Sequence, residues 1–196
     1  MASSSKKKSQ PGRLRIVAGN WRSRLLDIAD VEGLRPTSER IRETLFNWLS
    51  PRITGARCLD LFAGTGALGF EALSRGAAEV VFVEKSAKAI AALERNIRIL
   101  DATAAELHCG DARGYLRAAK KNQFDIVFLD PPFAADMLAD LCRLLNETSV
   151  LARGALVYIE EDRSRPEVEL PASWQVLKSK QAGNVRYSLV TPCDKR

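Results

Sequence analysis

The chain has 196 residues, is 46% hydrophobic and carries a net charge of +6, which sets a single domain with at most a small appendage and enough apolar mass for a core. Its four cysteines stand far apart, with no C-x-x-C pair and one histidine in the chain. Neither a disulfide framework nor a metal site is therefore expected, a reducing cytoplasm is the natural setting, and no apolar run suits a signal peptide or a membrane span.

The excess charge is confined to the front. Residues 1–42 hold ten Lys/Arg against four acids, and the rest of the chain holds twenty of each sign. A solubilising tail accounts for Lys6, Lys7 and Lys8. The basic residues run on past it into a segment with Trp21, which points to a polyanionic partner.

Residues 1–12, Ser/Lys-rich with Pro11-Gly12, read as a disordered basic tail. Arg13 to Ala18 alternates basic with apolar, Gly19-Asn20 is a hairpin turn signal, and Trp21 to Leu25 is the returning strand. Such a hairpin presents Arg13, Arg15, Arg22 and Arg24 on one face for phosphates. Gly33 to Thr37 is a loop, and Thr37 or Ser38 caps a helix over about 39–49 whose Ile41, Leu45, Phe46 and Leu49 share a side. Arg42 reads as part of a solvated helix start. Arg35 and Arg40 flank the turn toward the next strand and suit contacts to RNA or to the pocket.

From Arg57 the pattern is strand then helix, repeated. Strands are expected near 57–61, 79–84, 104–108, 124–129 and 154–160, and helices near 66–75, 86–100, 111–120 and 134–147. A hairpin of Trp174–Lys180 and Val185–Thr191 follows around Ala182-Gly183-Asn184. The economical architecture is a doubly wound, Rossmann-like α/β sheet with an antiparallel hairpin at its C-terminal edge. Cys58 and Cys142 read as core fillers, His108 as a packed or edge histidine, and Asp125 as structural.

Cys58 to Gly69 organises the chain: an apolar strand ends in Asp60, and a glycine-rich turn then opens a helix. Phe62-Ala63-Gly64-Thr65-Gly66 lets a small ligand lie against backbone with no Cβ in the way, facing unpaired N–H donors. The turn also satisfies the dinucleotide pattern G-x-G-x-x-G, with Glu84 twenty positions after Gly64 as the ribose acid. A pyrophosphate would meet Asp60 as a like charge, whereas the ammonium and sulfonium of S-adenosylmethionine suit that carboxylate. Glu84 can take both ribose hydroxyls. Gly110-Asp111-Ala112 reads equally as a helix cap and as a reader of the adenine edge, with Asp111 accepting from the exocyclic amine.

Asp130-Pro131-Pro132-Phe133 follows an apolar strand directly. Two prolines remove two N–H donors and leave a turn of acceptors, beside an aromatic surface for a flat ring. Acceptors next to an aromatic suit an exocyclic amine on a nucleobase, held by the Asp130 carboxylate and the Pro131 carbonyl and aimed at a methyl group.

With these residues assembled, the chain resembles the class I S-adenosylmethionine-dependent methyltransferases, and within them the bacterial RsmD-type enzymes. The resemblance covers Arg13 to about Val190. It rests on the run Arg15 to Arg24, on Gly33-Leu34-Arg35-Pro36-Thr37, on Arg40 with Arg42 to Leu49, on the Asp60–Gly66 turn, and on Glu84, Asp111 and Asp130–Phe133. It implies a seven-stranded methyltransferase sheet over 51–196 with an RNA-binding hairpin and helix over 13–50. It also implies methylation of the N2 amine of a guanine in 16S ribosomal RNA of the small (30S) subunit or its assembly intermediate. A monomer is expected. Competing readings are an amino-methyltransferase acting on adenine N6 or on DNA, for which no target-recognition domain fits in this length, and a nicotinamide-dependent oxidoreductase, for which the crevice lacks a proton relay.

Overall fold

The computed structural model describes residues 12–31, 33–121, 123–132 and 137–193. In chain order the elements are β1 (Arg13–Arg15), β2 (Leu25–Asp27), α1 (Glu39–Leu49), β3 (Arg57–Asp60), α2 (Ala67–Ser74), β4 (Glu79–Glu84), α3 (Ala87–Leu100) and β5 (Ala105–Cys109). They continue with α4 (Ala112–Ala118), β6 (Phe124–Leu129), α5 (Leu138–Thr148), β7 (Leu151–Asp162), β8 (Trp174–Ala182) and β9 (Val185–Pro192). The basic tail expected over 1–12 lies outside the described residues except for Gly12.

Seven strands form one sheet in the order β5-β4-β3-β6-β7-β9-β8. The first five run parallel, and β9 lies antiparallel between β7 and β8. Its central strands are apolar on both faces because helices cover both. Cys58, Val80, Phe82, Ile126 and Phe128 face one core, with α1, α2 and α3. Leu59, Val81, Val83, Val127 and Leu129 alternate to the other, under α4 and α5. The chain leaves β3 toward β4 on one side and returns to pair β6 on the other, so a crevice opens at the carboxyl ends of β3 and β6.

The N-terminal hairpin pairs Arg13 with Asp27 and Arg15 with Leu25, and Leu14, Ile16 and Leu26 enter the first core. A turn does fall at Gly19-Asn20, where the Gly19 carbonyl accepts from the Arg22 N–H at 3.1 Å, but the returning strand is Leu25–Asp27 and not Trp21 to Leu25. Pairing ends with Ile16, whose N–H donates to Arg24 and whose carbonyl accepts from Ser23, and 17–22 form a longer loop. Gly19 is there for docking: the Asn20 N–H donates to the Ser74 carbonyl at 2.7 Å, and a Cβ on Gly19 would stand 1.8 Å from that oxygen.

The loop is held by Glu71 of α2, whose carboxylate accepts from the Val17 and Ala18 N–H groups at 2.9 and 3.0 Å. It also accepts from Arg42 Nη1 at 3.0 Å and Arg75 Nε at 2.8 Å. Arg42, read from sequence as solvated, is 1% exposed. Its remaining nitrogens donate to the Thr37 and Arg15 carbonyls at 3.2 and 2.8 Å. Its position on α1, one residue from Ile41 and three from Leu45, places it on the buried side, and only a complete set of acceptors makes that tolerable. Removing one partner leaves a buried charge exposed to no water, so Glu71→Ala should lower the unfolding free energy by about 3–5 kcal/mol. Arg75→Ala, on the wetter side of the same carboxylate, should cost much less; urea denaturation of both variants checks the pair.

Candidate active site

An open cleft of about 940 Å³ lies at the strand ends. Its floor is built from carboxyls: Asp60 closes β3, Glu84 closes β4, Asp111 precedes α4, Asp130 follows β6 and Glu160 lies near the end of β7. Val31 and Gly33 to Ser38 form one wall.

Asp60 is 2% exposed and accepts from the Gly69 N–H at 3.0 Å. Burial, added to the charges of Asp130 and Glu84, pushes its carboxyl up to about 7. A cationic ligand relieves that burial and a phosphate worsens it. Phe62, Ala63, Gly64 and Thr65 line the same cleft. The glycines divide their work differently from the sequence reading. A Cβ on Gly64 (φ +50°) would point at Leu34 of the cleft wall, 2.9 Å from Cδ1. A Cβ on Gly66 (φ +77°) would strike Phe70 at 2.4 Å and Leu93 at 2.7 Å, both in the core. Gly66 therefore keeps the turn packed against α2 and α3, and it is absent from the cleft lining. It starts α2 with no side chain of its own to cap it, and in the first turn of that helix the Gly69 N–H is taken by Asp60.

Glu84 is more committed than a ribose acid needs to be. Oε2 accepts from the Gly64 N–H at 2.9 Å, and Oε1 from the Lys85 and Ser86 N–H groups at 2.9 and 2.7 Å. A carboxylate has about four lone-pair sites, so one is left for a hydroxyl, and the carboxylate also pins the glycine turn. Asp111 is a helix cap that also lines the cleft. Oδ1 caps α4 through the Arg113 and Gly114 N–H groups at 3.0 and 3.2 Å, while the residue lines the cleft beside Ala112.

Asp130, Pro131 and Pro132 line the cleft; Phe133 lies outside the described residues. The Thr37 hydroxyl donates to Asp130 Oδ2 at 3.2 Å, and burial pushes the Asp130 carboxyl up to about 6. Glu160, 5% exposed, accepts from the Tyr158 hydroxyl at 2.7 Å and is pushed up to about 8 by burial and by Asp130. Sequence reasoning missed Glu160 and Thr37. Glu160 falls at the carboxyl end of a parallel strand, as Asp60 and Asp130 do, and that rule could have found it.

Of the arginines read as RNA contacts, Arg35 lines the cleft and Arg40 stands exposed on α1 outside it. Arg13 and Arg22 are exposed. Arg15 is bound to Glu39 through Nε at 3.0 Å, and Arg24 donates to the Ile99 carbonyl at 3.3 Å. His108 packs edge-on against Tyr115 and Asp125 holds Arg57, both as read from sequence. Among the described residues no helix is long and apolar enough to cross a membrane.

The strand order, the single antiparallel strand within it and the ligand turn after β3 together define a Rossmann-like methyltransferase. A family model described as "Conserved hypothetical protein 95" matches residues 14–191. The chain is 44% identical to Ribosomal RNA small subunit methyltransferase D of Escherichia coli (strain K12) over 181 residues, 92% of this chain and 91% of that one. It is 42% identical to the protein of the same name from Haemophilus influenzae, over 91% of this chain and 93% of that one. The solved structure of yhhF from Escherichia coli superposes with a TM-score of 0.86 at 41% identity, covering 93% of this chain and 99% of that one. The chain belongs to this family, that of the bacterial small-subunit ribosomal RNA methyltransferases D.

The three raised carboxyls make a pH prediction. A carboxyl raised above its ordinary value binds a proton in the folded protein that the unfolded chain has already released. Asp60, Asp130 and Glu160 therefore cost no stability near pH 4 and cost progressively more as pH rises through about 8. The ligand-free protein should lose stability between pH 5 and 8, and Asp130→Asn should flatten that slope; urea midpoints across the range test both.

Proposed function

We propose that the protein transfers a methyl group from S-adenosylmethionine to the exocyclic N2 amine of a guanine in small-subunit ribosomal RNA. The observation that carries this reading is that the glycine turn and the Asp130-Pro131-Pro132 acceptor turn line one cleft, joined by a single wall. The donor set suits the cofactor: five carboxyls face Arg35 and Lys85 across the cleft, a balance that favours a cationic ligand without phosphate. Gly64, Asp60 and the open start of α2 would hold its amino-acid end, Glu84 its ribose and Asp111 its adenine amine. When bound it supplies an electrophilic methyl carbon beside positive sulfur.

The protein's own part is to make a poor nucleophile point the right way. The amine lone pair is delocalised into the base, and acceptors on both N–H groups hold the nitrogen pyramidal with that lone pair directed outward. Asp130, with Thr37 fixing one of its oxygens, and the Pro131 carbonyl are those acceptors, and catalysis comes from positioning and electrostatics. A guanine in folded RNA has to leave its stack first, and phosphate contacts offset that cost. The hairpin supplies Arg13 and Arg22, whose side chains have no partner among the described residues, and Arg15 and Arg24 after exchange of theirs. The fitting substrate is the small subunit or an assembly intermediate that exposes the base.

Asp130→Ala should leave S-adenosylmethionine affinity within a few-fold, by calorimetry, while methyl transfer to small subunits falls by ~10²-fold or more, the scale for one positioned polar group. Wild-type turnover by this variant rules out the exocyclic-amine mechanism. Each phosphate contact contributes about 0.7–0.9 to the log–log slope of RNA affinity against salt. The double variant Arg13→Ala/Arg22→Ala should therefore flatten that slope by roughly 1.5 and leave cofactor affinity unchanged. An unaltered slope means that RNA approaches another face.

A further inference from the structure

Glu160 has no assigned task. It lies on β7 at the carboxyl end of the parallel sheet, almost fully buried, and it lines the cleft together with Asp130 and Pro131. One of its oxygens is taken by the Tyr158 hydroxyl at 2.7 Å. The Thr37 hydroxyl donates to Asp130 at 3.2 Å, and Asp130 and Glu160 follow the paired residues Leu129 and Ile159 on neighbouring strands. No described residue forms an ion pair with either. The nearby guanidinium of Arg42 donates to the Thr37 carbonyl, but its charge is spent on Glu71. Two adjacent carboxyls without a counterion destabilise a fold, and such an arrangement marks a place where a ligand supplies the missing donors.

The ligand's donors can be counted. Guanine presents three N–H bonds on adjacent positions, two on the N2 amine and one on ring nitrogen N1. Asp130 and the Pro131 carbonyl account for the amine pair, and N1–H remains. We propose that Glu160 accepts the N1–H of the target guanine and thereby selects guanine over any base that carries a lone pair at that position. This inference rests on the guanine-N2 reading above. Either protonation state of a carboxyl offers an acceptor oxygen to N1–H, but only the ionised form refuses a lone pair, and burial pushes Glu160 up to about 8, so the discrimination belongs to the carboxylate and is measured above that pH. Adenine, or 2-aminopurine with its amine at the same place as guanine, turns an N1 lone pair toward that oxygen. A buried acceptor facing an acceptor is left unpaired, and sites built on hydrogen bonds reject such analogues strongly.

The probe is 2-aminopurine, which keeps the 2-amine and lacks N1–H. Small subunits are reconstituted with guanine or 2-aminopurine at the position the wild-type enzyme methylates, and kcat/KM is measured on each. The wild type should prefer guanine by roughly 10²-fold or more. Glu160→Gln, whose amide can donate to a lone pair, should shrink that preference at least tenfold by losing rate on guanine and gaining it on 2-aminopurine. Its cofactor affinity by calorimetry should not change. Tyr158→Phe, which removes only the hydroxyl on Glu160, should keep most of the preference.

A wild type that treats the two bases within about threefold overturns the proposal whether or not the variants fold. So does a Glu160→Gln enzyme that slows equally on both. A wild type that methylates neither base at N2 refutes the guanine-N2 reading instead, so the two failures are told apart.

Discussion

Glu71 sits at 0% exposure in the middle of an otherwise apolar helix, and four donors converge on it from three parts of the chain. Two are backbone N–H groups of the hairpin loop, one is Arg42 of α1, and one is Arg75 at the end of α2 itself. The neighbouring Ser74 repeats the pattern, accepting from the Trp21 N–H and donating to the Ala18 carbonyl at 2.6 Å. The helix whose first residues follow the ligand turn thus holds, one to two turns later, the loop that carries the basic hairpin. A buried carboxylate is stable only with its acceptor capacity filled. Filling it fixes hairpin, α1 and α2 as one unit.

The strand ends treat the same chemical group in the opposite way. Asp60 has one backbone donor, Asp130 one hydroxyl, and Glu160 a tyrosine hydroxyl, and all three carboxyls are pushed upward by burial. The contrast separates structural acids from site acids on physical grounds. Glu71 is saturated by the fold, and Asp125 and Glu161 are each paired with an arginine. The cleft acids are left with lone pairs that the protein does not use. Five unsaturated carboxyls around one opening set what can enter: a ligand rich in donors and positive charge.

Much of this was legible in the sequence. The strand–helix alternation from Arg57 onward gave every parallel strand, because apolar runs bounded by glycine or an acid leave few other structures. Helix α1 matched residue for residue, since Ser38 caps it and Pro51 prevents its extension. The turns after β3 and β6 were legible as turns for the same reason: their residue types are costly anywhere else. Long-range pairing was not legible. Arg42 reads as a surface charge until Glu71 is known to lie opposite, twenty-nine positions later. Gly19 reads only as part of a hairpin turn until its contact with Ser74 is seen. Gly66 reads as a ligand seat until Phe70 and Leu93 are found beneath it. In each case the deciding neighbour comes from another element, and nothing in local spacing announces it.

The wall of the cleft shows why those long-range contacts matter for function. Leu34 lies against Gly64 of the ligand turn, Arg35 and Pro36 line the opening, and the Thr37 hydroxyl reaches Asp130. Four consecutive residues thus run from the glycine turn after β3 to the acceptor turn after β6. Arg42 grips the carbonyl of Thr37 and so fixes the wall where it meets Asp130. Because Arg42 is itself locked to Glu71, the position of the Asp130 partner is set by the same buried carboxylate that docks the hairpin. The basic hairpin, the wall and the acceptor turn are therefore not independently placed. A displacement of the hairpin loop pulls on Glu71, Glu71 on Arg42, and Arg42 on Thr37 beside Asp130. Reacting groups need to be held to within a fraction of an ångström, and this chain of saturated hydrogen bonds supplies rigidity without a long linker between the basic hairpin and the acceptor turn.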